Sequence, residues 1–179
     1  MSVLKSKRHL SKMEYVTNAY AIEKYSTDFT KRLSVKNARL YQKPVARLAM
    51  LQSDLAYTAN EILPTNQAEY QIRRILLSIS MALLHALDKR MSDVYELLMV
   101  NPQEAFNRKN GKPIPNAEAI KILDKMAEDL GCMIDNQDSL LKGVRDSDRS
   151  RFSDLPAAAF DMSEIFKSIS VSLIKAFFT

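Results

Sequence analysis

The longest helical pattern in the chain is NQAEYQIRRILLSISMALLHALDKRMSDVYELLMV, residues 66–100. Asn66 followed three residues later by Glu69 resembles a capping box, with Thr65 as an alternative cap, so we expect a helix to begin here. Its apolar residues recur over a wide arc, and a helix of that kind is buried against more than one neighbour. At about 1.5 Å per residue this helix would be about 50 Å long.

Three further long helices are predicted around this one. The first covers about residues 11–32, where Ser11 and Glu14 form a second potential capping box. The last begins near Asn116 and ends at Gly143, because glycine is common just after the end of a helix. Residues 101–115 hold three of the six prolines and form the main loop, with a short helical turn at 103–106.

The start of the second helix has two possible positions. Proline lacks an N–H and clashes with the preceding helical turn, so Pro44 does not fit inside an undistorted helix. Either the helix begins near Pro44, where proline is favourable in the first position, or it begins near Ser34 and is kinked. It ends before Pro64, since the residue preceding a proline disfavours helix.

Glycine is scarce throughout the chain. Three glycines occur in 179 residues, where average usage would give about twelve. Sheets use glycine in tight turns and bulges, so its scarcity favours helices. We predict an all-α, antiparallel, up-down-up-down four-helix bundle over residues 11–152, preceded by a basic, flexible segment at 1–10. Residues 153–179 are predicted to form a tail with an additional C-terminal amphipathic helix at 162–178.

The sequence contains no recognisable catalytic motif. Its three glycines cannot build a phosphate loop, and one cysteine with two distant histidines does not form a zinc site. Cys132 is predicted to be a small buried apolar residue. We therefore predict a protein that is not an enzyme, with no catalytic residue, no metal and no cofactor. No signal peptide or apolar run of transmembrane length is evident, which favours a soluble, cytoplasmic protein without membrane association.

Positive charge is concentrated at the start of the chain. Residues 1–47 carry eleven Lys or Arg and three acids, an excess of eight positive charges, whereas residues 48–107 carry four bases and seven acids. A basic face on a small helical protein is typical of a polyanion partner, and nucleic acid is the most frequent one. The predicted phosphate contacts are Lys24, Lys31, Arg32, Lys36, Arg39, Lys43 and Arg47.

Two alternatives remain open for this basic segment. Tyr15, Tyr20, Tyr25 and Tyr41 lie among the bases and could stack on exposed nucleobases, but tyrosine at helical spacing is more often part of a core or an interface. The basic residues could also face the acids of another subunit. The chain would then be a helical interaction scaffold that oligomerises without binding nucleic acid.

Three segments resemble a known family. They are SKMEYVTNAYAIEKYSTDF (11–29), LPTNQAEYQIRR (63–74) and SLLKGVRDSDRSRF (139–152). Together they resemble the accessory variability determinant (Avd-like) proteins of diversity-generating retroelements, which are related in fold to the 23S rRNA intervening-sequence proteins. The resemblance covers about residues 11–152 and carries no catalytic signature.

The resemblance implies a fold, an assembly and a function. The fold is a basic four-helix bundle, and the assembly is a ring-like homo-oligomer, which is a pentamer in that family. Such a protein would bind RNA or DNA and a partner reverse transcriptase, assisting cDNA synthesis without chemistry of its own. The chain departs from the family's compact pattern in the loop at 101–115 and in residues 153–179.

Overall fold

The computed structural model describes residues 13–107 and 112–157, and the regular structure in these two ranges is helical. The elements in chain order are α1 (Glu14–Lys31), α2 (Val35–Glu61), α3 (Gln67–Val100), a 3-10 helix (Pro102–Glu104) and α4 (Asn116–Arg151). No strand forms within the described ranges, so the predicted all-α class is confirmed, and the structure is consistent with a helical bundle. The basic segment at 1–10 and the predicted helix at 162–178 lie outside the described residues.

The four long helices share one apolar core. α1 contacts α2 and α4, and α3 contacts the same two helices. Leu77, Leu84 and Leu87 of α3 have less than 2% of their surface exposed, and truncating such a leucine to alanine typically costs about 2–5 kcal/mol. Three of the six buried residues of α2 are alanines, and these small side chains let the neighbouring helices approach closely.

Of the two predicted starts of α2, the one near Ser34 is right. The helix begins at Val35 and continues through Pro44 to Glu61. Pro44 has no N–H to donate to the carbonyl of Leu40, four residues earlier. Leu40 is 57% exposed and Pro44 is also exposed, so water can hydrate that carbonyl. The helix is held against the core on both sides of the proline, by Ala38 and Tyr41 before it and by the fully buried Val45 after it.

Of the two caps predicted for the start of α3, Asn66 is the one that forms. The Asn66 side-chain oxygen accepts a hydrogen bond from the Glu69 N–H at 3.1 Å. The Glu69 carboxylate accepts from the N–H and the hydroxyl of Thr65 at 2.7 and 2.8 Å. These hydrogen bonds, above all the one from the Thr65 backbone, lower the pKa of Glu69. These local hydrogen bonds mark the beginning of α3. Its first residue is also held by a tertiary contact, because the Gln67 N–H donates to the Pro156 carbonyl at 2.9 Å.

Helix α4 extends beyond the end that we predict. Gly143 lies inside α4, which continues to Arg151, so the prediction of a C-terminal cap at Gly143 is wrong. Two tertiary contacts hold the extra turns. Asp148 forms a buried ion pair with Arg73, and the ring of Phe152 lies 5.9 Å from that of Tyr70.

The connection after α3 is attached to the junction between α1 and α2. The Ser34 N–H donates to the Ala105 carbonyl at 2.9 Å, and the Asn107 N–H donates to the Arg32 carbonyl at 3.0 Å. Phe106 is buried, and its ring meets that of Phe29 edge-on with centroids 6.0 Å apart. The predicted helical turn at 103–106 is present as the 3-10 helix one residue earlier.

Candidate nucleic-acid interface

Four of the predicted phosphate contacts lie on one face of α2. Lys36, Arg39, Lys43 and Arg47, here called the basic stripe, follow one another at spacings of three, four and four residues. Residues at these spacings lie above one another on a helix, over about 17 Å at 1.5 Å per residue. The core residue Val45 and its partners on α2 occupy the opposite face. The stripe therefore points away from the core.

The side chains of the basic stripe are available to a ligand. Three of them are exposed, and Arg47 is half-buried. Residues 34–53 contain no acid. Within residues 13–107 and 112–157, no carboxylate lies at ion-pair distance from any of the four. An incoming phosphate would therefore not have to displace an internal partner.

The other three predicted contacts lie on or next to α1 and in a different setting. Lys31 pairs with Asp28 at 3.1 Å, and both side chains are about half exposed, a type of pair that contributes little to stability. Lys24 and Arg32 border a groove between α1 and α4. Six of the seven predicted residues thus divide between the basic stripe of α2 and this groove, and Lys31 does not line the groove.

The groove bordered by Lys24 and Arg32 is a feature that the sequence did not indicate. This α1–α4 groove has a volume of about 540 Å³. Its rim carries charged residues of both helices, and its inner surface is mainly apolar. Its lining includes Lys24, Tyr25, Asp28, Arg32, Ile122, Lys125, Asp129 and Met133. Lys125 could not be assigned to this site from the sequence, because nothing in the sequence specifies how α1 and α4 align.

Tyr25 is held in place within the α1–α4 groove. Its hydroxyl donates a hydrogen bond to the Asp129 carboxylate at 3.0 Å. Burial, together with this hydrogen bond and the charge of Asp129, raises the pKa of Tyr25 to about 12. Tyr25 is therefore a neutral hydrogen-bond donor at physiological pH, with its ring fixed at the groove.

The four tyrosines among the bases differ in environment. Tyr15 is buried in the core, Tyr20 is exposed, and Tyr25 and Tyr41 are partly buried. Of these four, Tyr25 is the one that lines the α1–α4 groove. Tyr15 is therefore excluded from stacking on a ligand in this structure, whereas Tyr25 lies beside basic residues.

The described residues show no arrangement typical of a metal site. In the part of the chain that the structure describes, no group of three or more His, Cys, Asp or Glu side chains could hold a metal ion. Cys132 is exposed on α4, so the prediction that it is buried is wrong. The neighbouring positions Leu130 and Ile134 are turned to the core instead. His85 Nε2 lies 3.3 Å from the Asp138 carboxylate, and Lys142 contacts the same carboxylate.

Membrane-spanning helices and similarity to known proteins both bear on the class to which this protein belongs. Among the helices of residues 13–107 and 112–157, none has the length and apolarity needed to cross a membrane. Comparison of the chain with protein-family models, curated proteins and solved structures found no match. The resemblance of residues 11–152 to the Avd-like proteins therefore stays a prediction.

Proposed function

We propose that this protein is a non-enzymatic accessory protein that binds the phosphate backbone of RNA or DNA through the basic stripe of α2. The observation that supports this most strongly is the row of four cationic side chains on one outward face, with no acid between residues 34 and 53. A row of this kind follows a line of phosphates without reading bases, because phosphate contacts carry no sequence information. Lys24, Lys31 and Arg32 would extend the contact beyond α2.

The proposal predicts how binding depends on salt. Each phosphate that the protein neutralises releases condensed counterions, so the logarithm of affinity falls linearly with the logarithm of salt concentration. Four contacts correspond to a slope of about −3.6 on duplex DNA and about −2.8 on a single strand. Contacts from all seven residues would steepen the duplex slope to about −6.

The test is fluorescence anisotropy with a labelled oligonucleotide between about 50 and 200 mM salt. The triple variant Arg39→Glu, Lys43→Glu and Arg47→Glu should lose most of the affinity and of the salt slope. The control variant Arg74→Glu, Arg90→Glu and Lys121→Glu carries the same change in net charge on exposed positions of α3 and α4. Equal losses in both variants, or no binding by the unmodified protein at the lowest salt, would exclude the stripe as the binding site.

We propose an antiparallel, up-down-up-down order for the four helices. Contacts between neighbouring helices support this order, because positions that advance along one helix meet positions that go back along its neighbour. Tyr15, at the start of α1, contacts Asn60 at the end of α2. Along α3, Arg73 contacts Ala59 and Ser80 contacts Gln52. Tyr95 contacts Asp124 near the end of α3, whereas Arg73 contacts Asp148 near its beginning. In this arrangement the end of α1 and the start of α2 lie together, which brings Arg32 close to the basic stripe.

Exposed apolar side chains favour a second candidate function, an interaction scaffold. Val100 is 83% exposed at the end of α3, and Val35, Leu40 and Leu97 are also more than half exposed. The hydrogen bond from Ser34 to Ala105 places Val35 near the connection that follows α3. Leu97 and Val100 lie three residues apart and so adjoin on α3, and adjoining exposed apolar side chains are typical of protein interfaces. The resemblance to Avd-like proteins supports a homo-oligomer, a pentamer in that family, and a reverse transcriptase as the protein partner.

Light scattering separates the two functions. If Val100 and Leu97 form a subunit interface, Leu97→Ser with Val100→Ser should reduce the mass of the assembly. Leu63→Ser is the matched control, because Leu63 is 74% exposed in the link between α2 and α3. The scaffold would be favoured over the nucleic-acid-binding protein by two results together. The Leu97→Ser, Val100→Ser variant would disassemble, and the triple Glu variant of the basic stripe would keep its affinity for the oligonucleotide.

A further inference from the structure

We propose that the α1–α4 groove binds an unpaired base of single-stranded nucleic acid, a proposal that rests on the nucleic-acid binding proposed above. The groove would give the protein a preference for single strands, which the basic stripe alone does not provide. The assignment depends on three properties of the groove: its size, the ring of Tyr25 and the charges along its rim.

The size of the groove suits a nucleotide. Its volume of about 540 Å³ lies within the range of about 300–1,000 Å³ that is typical of small-molecule pockets. Ile122 and Met133 of α4 are partly buried and line it together with α1. An apolar surface of this kind accepts the faces of any base, so the groove does not require a particular sequence.

Tyr25 supplies an aromatic ring at a fixed position. Its hydroxyl is bonded to Asp129 at 3.0 Å, so the ring is oriented before a ligand arrives. Stacking of a base on an aromatic side chain is the usual way in which proteins hold single strands without sequence preference. A duplex keeps its bases stacked inside the helix and cannot place one on this ring.

The charges on the rim complement a phosphate backbone. Lys24, Arg32 and Lys125 border the groove from two helices. Of the two acids at the same groove, Asp28 pairs with Lys31, whereas Asp129 keeps its charge and accepts the Tyr25 hydrogen bond, so the three cations outnumber the one acid that has no cationic partner. The three cations can therefore contact the phosphates that flank a bound base. Their position beside an apolar surface distinguishes the groove from the basic stripe.

The experiment compares three labelled ligands by anisotropy at one low salt concentration. They are a single strand of about twelve nucleotides, the same strand with every base removed, and the matching duplex. For the unmodified protein we expect the base-containing strand to bind about tenfold more tightly than the abasic strand. The ratio of these two affinities is the readout, because it cancels the phosphate contacts that both strands make alike. It keeps the contacts at the groove rim, since the flanking phosphates are held there only when a base is bound.

Two pairs of matched variants locate the effect. Tyr25→Leu should bring the ratio close to one, whereas Tyr20→Leu, which removes an exposed tyrosine of α1 outside the groove, should leave it unchanged. Lys125→Glu should reduce the ratio more than Lys121→Glu, which makes the same charge change one turn earlier on α4. Circular dichroism checks folding, and if Tyr25→Leu unfolds, the lysine pair decides the outcome.

Several results would overturn the groove proposal. A ratio of one in the unmodified protein, with all three ligands bound, excludes base binding while the proposed function stands. If Tyr25→Leu and Tyr20→Leu changed the affinity ratio equally, the base would bind outside the groove. If Tyr25→Leu unfolds, equal changes in Lys125→Glu and Lys121→Glu would lead to the same conclusion. Binding of an acidic amphipathic peptide that Lys125→Glu abolishes, with no difference between the two strands, assigns the groove to a protein partner. Failure of all three ligands to bind removes the proposed function itself.

Discussion

Arg73 and Asp148 form a buried ion pair between α3 and α4, with Arg73 Nε 2.6 Å from Asp148 Oδ2. The same guanidinium donates hydrogen bonds to the carbonyls of Ala59 and Ile62 at the end of α2. One side chain therefore joins three helices and satisfies carbonyls that the end of a helix leaves without partners. Both charged side chains are at most 10% exposed.

Removing one member of the buried ion pair should be strongly destabilising. Arg73→Met or Asp148→Asn leaves the remaining charge of the pair buried without its counter-charge, and we expect a loss of about 3–5 kcal/mol in the free energy of unfolding. Urea denaturation followed by circular dichroism measures the change. Lys89→Ala, which breaks an exposed pair with Asp93, is the control and should cost less than about 1 kcal/mol. A loss of similar size in both would contradict the structural role of Arg73.

Replacing Gln52 with an apolar residue should stabilise the protein. Gln52 is fully buried, and its side-chain nitrogen and oxygen have no hydrogen-bond partner within the described residues. We expect Gln52→Met to raise the free energy of unfolding by about 1–2 kcal/mol, because burying an unpaired amide is unfavourable. Thermal and urea unfolding both report this change.

Gln137 provides the matched control for Gln52. It is equally buried, but its amide donates to the Tyr15 carbonyl at 2.9 Å and accepts from Asn18 at 3.0 Å. Gln137→Met should therefore destabilise the protein by about 1–3 kcal/mol. If both substitutions changed stability in the same direction, hydrogen bonding would not be the cause.

Gly143→Ala should stabilise α4. Gly143 lies inside the helix, and a Cβ added to it would meet no atom within 4 Å. Glycine in a helix interior costs about 0.5–1 kcal/mol relative to alanine, so the substitution should add that amount to the free energy of unfolding. The reverse change at an exposed site of the same helix, Ala127→Gly, should remove a similar amount. Destabilisation by Gly143→Ala would indicate that α4 ends near this residue.

Tyr25 should make the protein less stable at alkaline pH. Its pKa in the folded protein, about 12, lies above the ordinary value of 10.0. The neutral hydroxyl therefore stabilises the fold fully below about pH 10, and this contribution is lost as the pH rises from 10 to 12. Tyr25→Phe should make stability depend less on pH in this range. Burial of Tyr15 and the hydrogen bond of Tyr95 to Asp124 also raise the pKa of those residues, so part of the dependence will remain.

Asp129→Asn tests why the pKa of Tyr25 is raised. It removes the carboxylate that favours the neutral hydroxyl, so the pKa of Tyr25 should fall toward its ordinary value. Ultraviolet absorbance of the phenolate during a pH titration, compared with that of Tyr25→Phe, isolates the signal of this residue. An unchanged titration would mean that burial alone sets the pKa.

Local signals in the sequence predicted the start of α3, because Thr65, Asn66 and Glu69 form hydrogen bonds with one another. They did not predict the start of α1, whose N-cap is Met13 and not Ser11. The interior of α2 was harder to predict. Proline at position 44 is unfavourable by local rules, and tertiary packing of Val45 overrides those rules.

Features that depend on distant residues could not be predicted. The end of α4 depends on Asp148 meeting Arg73, 75 residues earlier in the chain, and no local pattern encodes that pair. The α1–α4 groove depends on the alignment of two helices that are far apart in sequence. The prediction that Cys132 is buried followed from the usual burial of free cysteines. Its position on α4 places it on the face opposite the core-facing Leu130 and Ile134, and it is exposed.

The attachment of both ends of α2 has a consequence for recognition. Its beginning is fixed where Ser34 bonds to Ala105, and its end is fixed where Arg73 bonds to the Ala59 carbonyl. A ligand that contacts the basic stripe therefore meets a backbone that is already ordered. The conformational entropy lost on binding is then confined to a few lysine and arginine side chains. Under the proposed function, preorganisation of this kind would let a surface with few contacts retain a polyanion whose sequence it does not read.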